Sequence, residues 1–132
     1  MSTRDFSGIA DQLHNNRQEL IARLLQTLAA NDFASLPQYM AENVQLTISG
    51  FPAIDGSWCG REAVVATMTA NFGKITEQKS QLRGMIQQGD LLALRVYESG
   101  RLSGVPYEVD AVFWMVFDGD VLTEITEFVH CL

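Results

Sequence analysis

Two acidic residues stand in rows of the chain that are otherwise apolar or nearly so. Glu127 alternates with Thr123, Ile125 and Val129, and Glu98 alternates with Leu94 and Val96. In an extended chain, residues two apart share a face. Each glutamate therefore travels with hydrocarbon neighbours. A carboxyl group among apolar groups has its charged form destabilised, which raises its pKa and suits it to give or take a proton near neutral pH. The competing reading for both is structural: a rim position, or a carboxylate satisfied by arginine or backbone donors. For Glu98, one inserted or deleted residue between strands turns its row outward.

Other reactive side chains are sparse. His14 and His130 are the only histidines, Cys59 and Cys131 are isolated, and none has a partner at metal-ligand spacing. No zinc site is expected. His130 alternates with Phe128, on the face opposite Glu127, and reads as a solvated residue rather than a proton shuttle. Cys59 has no neighbouring base to make it a nucleophile. Trp58 and Tyr39 can orient a ligand through the indole N–H or phenol O–H, or serve as core aromatics with a satisfied polar end. Arg61 and Arg95 read as solvated or ion-paired. No glycine-rich phosphate loop occurs, and no cofactor is expected.

These residues must be positioned by one domain. The chain has 132 residues, and 47% of them are hydrophobic, enough for one core. No apolar run approaches the ~18 residues of a membrane span. The net charge is −7, from 16 acids against 9 bases, with no cluster of lysines or arginines. Nucleic acid and anionic membranes are disfavoured as partners. Residues 1–16 lack the basic start and apolar stretch of a secretory signal. Two isolated thiols make no disulfide framework. A cytoplasmic location is the expectation.

Residues 1–10 read as loose. From Leu13, a helical stripe runs through Arg17, Leu20, Leu24 and Leu28, widened by Ile21 and Leu25. Asn31-Asp32 ends it, and Asp32 is placed to cap a short second helix with Phe33, Leu36 and Met40 on one face. Pro37 keeps that helix short. Val44, Leu46 and Ile48 alternate with polar residues, as in a strand with one buried face. Gly50–Gly60 reads as a loop with a short pairing segment near Trp58. Val64, Val65, Met68 and Phe72 form a third helical stripe.

After Gly73 the pattern becomes β. Turn signals at Gln88-Gly89-Asp90, Ser103-Gly104 and Asp118-Gly119-Asp120 divide it into strands near 77–88, 91–103, 106–117 and 121–131. Short turns force an antiparallel meander. Its third strand, about 40 Å long at ~3.4 Å per residue, is expected to twist and curl. One face carries Tyr107, Val109, Ala111, Phe113, Met115 and Phe117. The other runs from Glu108 and Asp110 to Val112, Trp114 and Val116, an apolar row that needs a cover. With no helix left to supply, that cover is expected to be a second subunit.

This order of elements resembles the nuclear transport factor 2-like superfamily, in particular its SnoaL-like and ketosteroid-isomerase-like branch. The resemblance covers about residues 16–130. It is carried by Leu28-Ala29-Ala30-Asn31-Asp32-Phe33, by Met40-Ala41-Glu42-Asn43-Val44, by Trp58-Cys59-Gly60-Arg61-Glu62-Ala63-Val64, and by the ending Phe117-Asp118-Gly119-Asp120-Val121-Leu122-Thr123-Glu124-Ile125-Thr126-Glu127-Phe128. It implies an α+β fold: N-terminal helices packed in a curved, mostly antiparallel sheet, a cone-shaped cystatin-like roll around an apolar pocket. It also implies a homodimer through the outer sheet face, using Val112, Trp114, Val116 and Phe128.

The resemblance bears on chemistry as well. Ungapped matching places the isomerase's base at Ile48, its tyrosine at Leu24 and its second acid at Phe113, all apolar here. Steroid isomerisation by that mechanism is disfavoured. Matching turns the Glu127 row inward, and Glu127 falls where the limonene-epoxide-hydrolase branch carries a catalytic aspartate. The hydrolase's arginine and second aspartate match Leu94 and Val96, so that set is incomplete too. Two functions remain. One is cofactor-free acid–base catalysis on a small apolar molecule, of isomerase, cyclase, dehydratase or hydrolase type, with Glu127 and Glu98 as candidate proton carriers. The other is a non-catalytic binding or dimeric interaction domain. The expected lining is Leu24, Leu28, Met40, Ile48, Trp58, Met68, Phe72, Phe113 and Met115, around a pocket of the usual ~300–1,000 Å³.

Overall fold

The structure is a computed structural model that describes residues 3–5 and 18–132. Leu13, His14 and Arg17, read above as the start of the first helix, lie outside the described residues. Helix α1 spans Gln18–Ala29. Ile21, Leu24 and Leu25 are fully buried on its inner stripe, because spacings of three and four residues bring them to one face. The helix ends in a Schellman closure. Asn31 takes the left-handed conformation at φ 54°, the Asn31 N–H donates to Leu28 O, and the Asp32 N–H donates to Thr27 O.

The segment after α1 is the expected short helix, but its cap and its buried face differ from the expectation. Phe33–Tyr39 is a 3₁₀ helix containing Pro37, and Asp32 makes no side-chain cap; its carboxylate instead accepts from Ser35 Oγ at 2.6 Å. With three residues per turn, the buried face is Phe33, Leu36 and Tyr39 rather than Phe33, Leu36 and Met40. Tyr39 is thus a core aromatic. Met40 opens the next strand.

Thr3–Asp5, within the stretch read as loose, forms strand β1. Strand β2 spans Met40–Ser49, β3 Gly56–Cys59, β4 Ile75–Gln88, β5 Leu91–Leu102, β6 Val105–Asp118 and β7 Val121–Cys131. Helix α2, Arg61–Gly73, lies between β3 and β4. It begins at Gly60, whose φ of 96° is open to glycine, and it buries Val64. The sheet order is β1-β4-β5-β6-β7-β2-β3. The meander β4–β7 is antiparallel throughout, β2 joins β7 in parallel, and β1 joins β4 in parallel. Ser103 and Gly104, at φ 50° and 83°, link the paired residues Leu102 and Val105 in a two-residue turn whose positive φ angles match the strand twist.

The core forms where α1, the 3₁₀ segment and α2 meet the inner sheet face. Leu92, Leu94, Val96, Met115, Phe117, Leu122 and Ile125 face it from the meander, and Val44, Leu46 and Ile48 from β2. Phe33 and Phe72 meet edge-on, 5.5 Å between centroids, tying the 3₁₀ segment to α2. Among the described residues, no helix is long and apolar enough to cross a membrane.

Candidate functional site

The helices do not fill the inner face completely. A cavity of about 110 Å³ remains, lined by residues of α1, the 3₁₀ segment, α2 and strands β2 and β4–β7. It is smaller than the expected range, because Leu36, Leu46, Leu94, Leu122 and Ile125 also project into it. It approaches the ~150 Å³ of a cavity that holds benzene. Leu24, Leu28, Met40, Ile48, Met68, Phe72, Phe113 and Met115 line it. Trp58 does not. It pairs with Leu46 on the edge strand β3, and its ring folds back over Gly56, where an added Cβ would lie 2.7 Å from Trp58 Cη2.

Among the described lining residues, only Asn71, Glu98 and Glu127 carry polar side chains. Strand register explains how Glu127 gets there. It is paired with Phe113 on one side and Ile48 on the other. Directly paired residues share a face, so Glu127 lies between the two positions matched to the isomerase's acids. Along its own strand it shares that face with Ile125 and Val129, giving the carboxyl apolar neighbours in four directions within the sheet.

Glu98 occupies a different part of the wall. It is paired with Ser80 and Val109, and its Oε2 accepts from Tyr107 Oη at 2.7 Å. Val109 and Phe113 are four residues apart on β6, and β5 and β7 flank that strand. The Cα atoms of the two glutamates are therefore on the order of 17 Å apart along the sheet. They enter the cavity from different strands, Glu98 from β5 and Glu127 from β7. Both glutamates have interaction partners.

Sequence reasoning missed Asn71. Its helical stripe was read from apolar residues alone, and Asn71 sits beside Phe72 at the edge of that stripe. It also missed the Tyr107–Glu98 bond, which joins β6 to β5 and has no signature along either strand. Among the described residues, no group of three or more His, Cys, Asp or Glu is placed to hold a metal ion. Cys59, Cys131 and His130 are exposed, and Arg61 is exposed at the start of α2. Arg95 forms a two-pronged ion pair with Asp110 on the outer face, closest contact 2.6 Å.

The cone of strands around the helices, with polar groups only at isolated points of its inner wall, is the architecture of the nuclear transport factor 2-like superfamily. The family model for the SnoaL-like domain matches residues 21–125, and the chain belongs to that family. A structure described as Bal32a, from a soil-derived mobile gene cassette, is 19% identical with a TM-score of 0.73, covering 92% of each chain. A putative SnoaL-like polyketide cyclase from Shewanella denitrificans is 16% identical at TM-score 0.72, covering 88% of this chain and 91% of that one. A nuclear transport factor 2-like protein from Burkholderia xenovorans is 18% identical at TM-score 0.69, covering 84% of this chain and 86% of that one. At these identities the likeness is one of fold. No curated protein matches the chain.

Proposed function

We propose that the cavity holds a small apolar molecule and that Glu127 moves a proton on it, in cofactor-free acid–base chemistry of isomerase or cyclase type. The observation that carries this reading is the register Ile48–Glu127–Phe113. Two positions matched to isomerase acids are hydrocarbon, and a carboxyl stands on the strand between them, facing the cavity. A single carboxyl suffices for proton transfer when the substrate is held against it. Asn71 supplies neutral N–H donors from the lining, the group type that steadies a developing oxyanion.

Small cyclic ketones in D₂O provide the test, with α-proton exchange followed by NMR. The wild type is expected to accelerate exchange, and Glu127→Gln to lower the rate ~10²–10⁴-fold with melting temperature and ligand-induced shifts unchanged. A second reading, a binder without turnover, draws on Leu24 and Phe113, which leave the isomerase's tyrosine and second acid unreplaced at their own positions. It stands if ligands shift the cavity resonances while exchange stays at the uncatalysed rate.

The outer sheet face supports a further proposal, a homodimer. Trp114 is 39% exposed and Phe128 51% exposed, and Phe128 is paired with Val112. Ile86, 66% exposed, extends the patch across the sheet through the register Ile86–Ala93–Trp114. A second copy of this face is the cover that the described residues do not supply.

A further inference from the structure

The Glu98 end of the cavity is built with more precision than a rim needs. Tyr107 reaches Glu98 because its ring crosses Gly100, its cross-strand partner. An added Cβ at Gly100 would lie 3.2 Å from Cε1 and Oη of that ring and 3.0 Å from Thr76 O, so a larger residue would crowd the tyrosine. Phe51 packs against the same ring, 5.8 Å between centroids. The carboxylate is thus held in place on the cavity wall.

Directly across the β4–β5 pair, and therefore on the same face, stands Ser80. It is 4% exposed, and its Oγ has no hydrogen-bond partner. A buried polar atom left in this state marks a place for a water or a ligand group. Cross-strand neighbours have Cβ atoms about 5 Å apart, close enough for one donor-rich group to bridge Ser80 Oγ and the Glu98 carboxylate. Tyr107 is one partner of a carboxylate that can accept about four hydrogen bonds. Lys, Arg and His are absent from the described lining residues, and the chain carries a net charge of −7.

From this we infer that the Glu98 end is a subsite for a protonated amine, so that the ligand is a small alkylammonium ion with its hydrocarbon part in the apolar chamber. The inference rests on the reading of the cavity as a ligand site and revises its ligand from a wholly apolar molecule to one with a hydrocarbon body and an ammonium head at Glu98. An ammonium group offers three N–H donors to the two acceptors, and the carboxylate's charge favours it over a hydroxyl of the same size. An anionic ligand meets repulsion at both glutamates. Tyr107 acts as a positioning residue: it fixes the carboxylate that meets the amine.

The test compares 3-methylbutylammonium with 3-methylbutan-1-ol, which share one carbon skeleton, using methyl NMR of Met40, Met68 and Met115 on the cavity wall at pH 7. In the wild-type chain the ammonium ion is expected to bind at least ten-fold more tightly than the alcohol. Glu98→Gln brings the ratio close to one. Tyr107→Phe and Ser80→Ala lower the ammonium affinity and leave that of the alcohol unchanged, which a merely structural role would not do. These two variants carry the test should Glu98→Gln fail to fold. Equal binding of the two probes by the wild type overturns the amine subsite and leaves the ligand cavity standing, as does a ratio that survives in all three variants. Failure of both probes to shift the three methyl groups overturns the cavity reading and the subsite together.

Discussion

The two faces of the meander are made from the same strands, yet they manage apolar residues in opposite ways. The inner face buries Leu92, Leu94, Val96, Met115 and Ile125 under the helices and admits polar groups at a few fixed points. The outer face leaves Ile86, Trp114 and Phe128 to solvent and sets the Arg95–Asp110 ion pair next to Val112. On the inside a polar residue is the exception and points to chemistry. On the outside the apolar cluster is the exception and points to a partner. In each case the informative residue departs from its surroundings.

This contrast can be broken, and the largest effect lies inside. Leu92→Ala removes a fully buried side chain paired with Met115, and is expected to cost ~2–5 kcal/mol, read from the urea midpoint. Ile86→Ala, on the exposed face, changes the stability of a single copy by no more than about 0.5 kcal/mol. Equal losses at the two sites would erase the distinction. Next, Trp114→Glu places a charge in the middle of the outer patch and is expected to halve the mass seen by sedimentation at micromolar concentration. A dimer that survives this change, or a wild type that sediments as a monomer, removes the proposed role of the outer face.

The smallest effect concerns the ion pair. The Arg95 hydrogen bond, aided by the charges of Arg95, His130 and Arg83, holds the Asp110 carboxyl below its ordinary value of 3.8, against a smaller opposing effect of burial. A folded-state pKa below the unfolded one contributes stability that is fully present above about pH 4 and is lost as pH falls through the folded value. Arg95→Gln is therefore expected to flatten the acid limb of the stability profile below pH 4. It leaves stability at pH 7 slightly lower, since exposed pairs contribute little. An unchanged acid limb would show that the pair does not persist in solution.

Much of this architecture was legible because turn chemistry and alternation are local signals. Gly89, Ser103-Gly104 and Gly119 mark the three meander turns, each with positive φ, and period-two alternation gives the faces of β6 and of β7 from Ile125 onward. A register shift between Val116 and Phe117 brings Leu122 rather than Thr123 to the inner face. Pairings between distant segments left no such trace. Thr3–Asp5 beside β4 lies in a polar stretch without alternation. The 3₁₀ geometry of Phe33–Tyr39 differs from an α-helix by one residue in its buried face, too little for a seven-residue pattern to resolve. Trp58 was misplaced because apolar character tells that a side chain is covered, not what covers it. Glu127 was legible through parity, whereas its placement between Ile48 and Phe113 depends on a register that only the folded sheet sets.

The parallel seam between β2 and β7 also bears on how the chain is made. Leu46 and Ile125 are neighbours across it, and β3 reaches the rest of the sheet only through β2. On a ribosome working at ~5–20 residues per second, Leu46 precedes its partner by about 4–16 s. The meander closes through local hairpins, but β2 presents an open strand edge throughout that interval. The wall of the cavity that carries Ile48 is therefore the last to be completed, and the nascent chain is most exposed to misassociation just before β7 emerges.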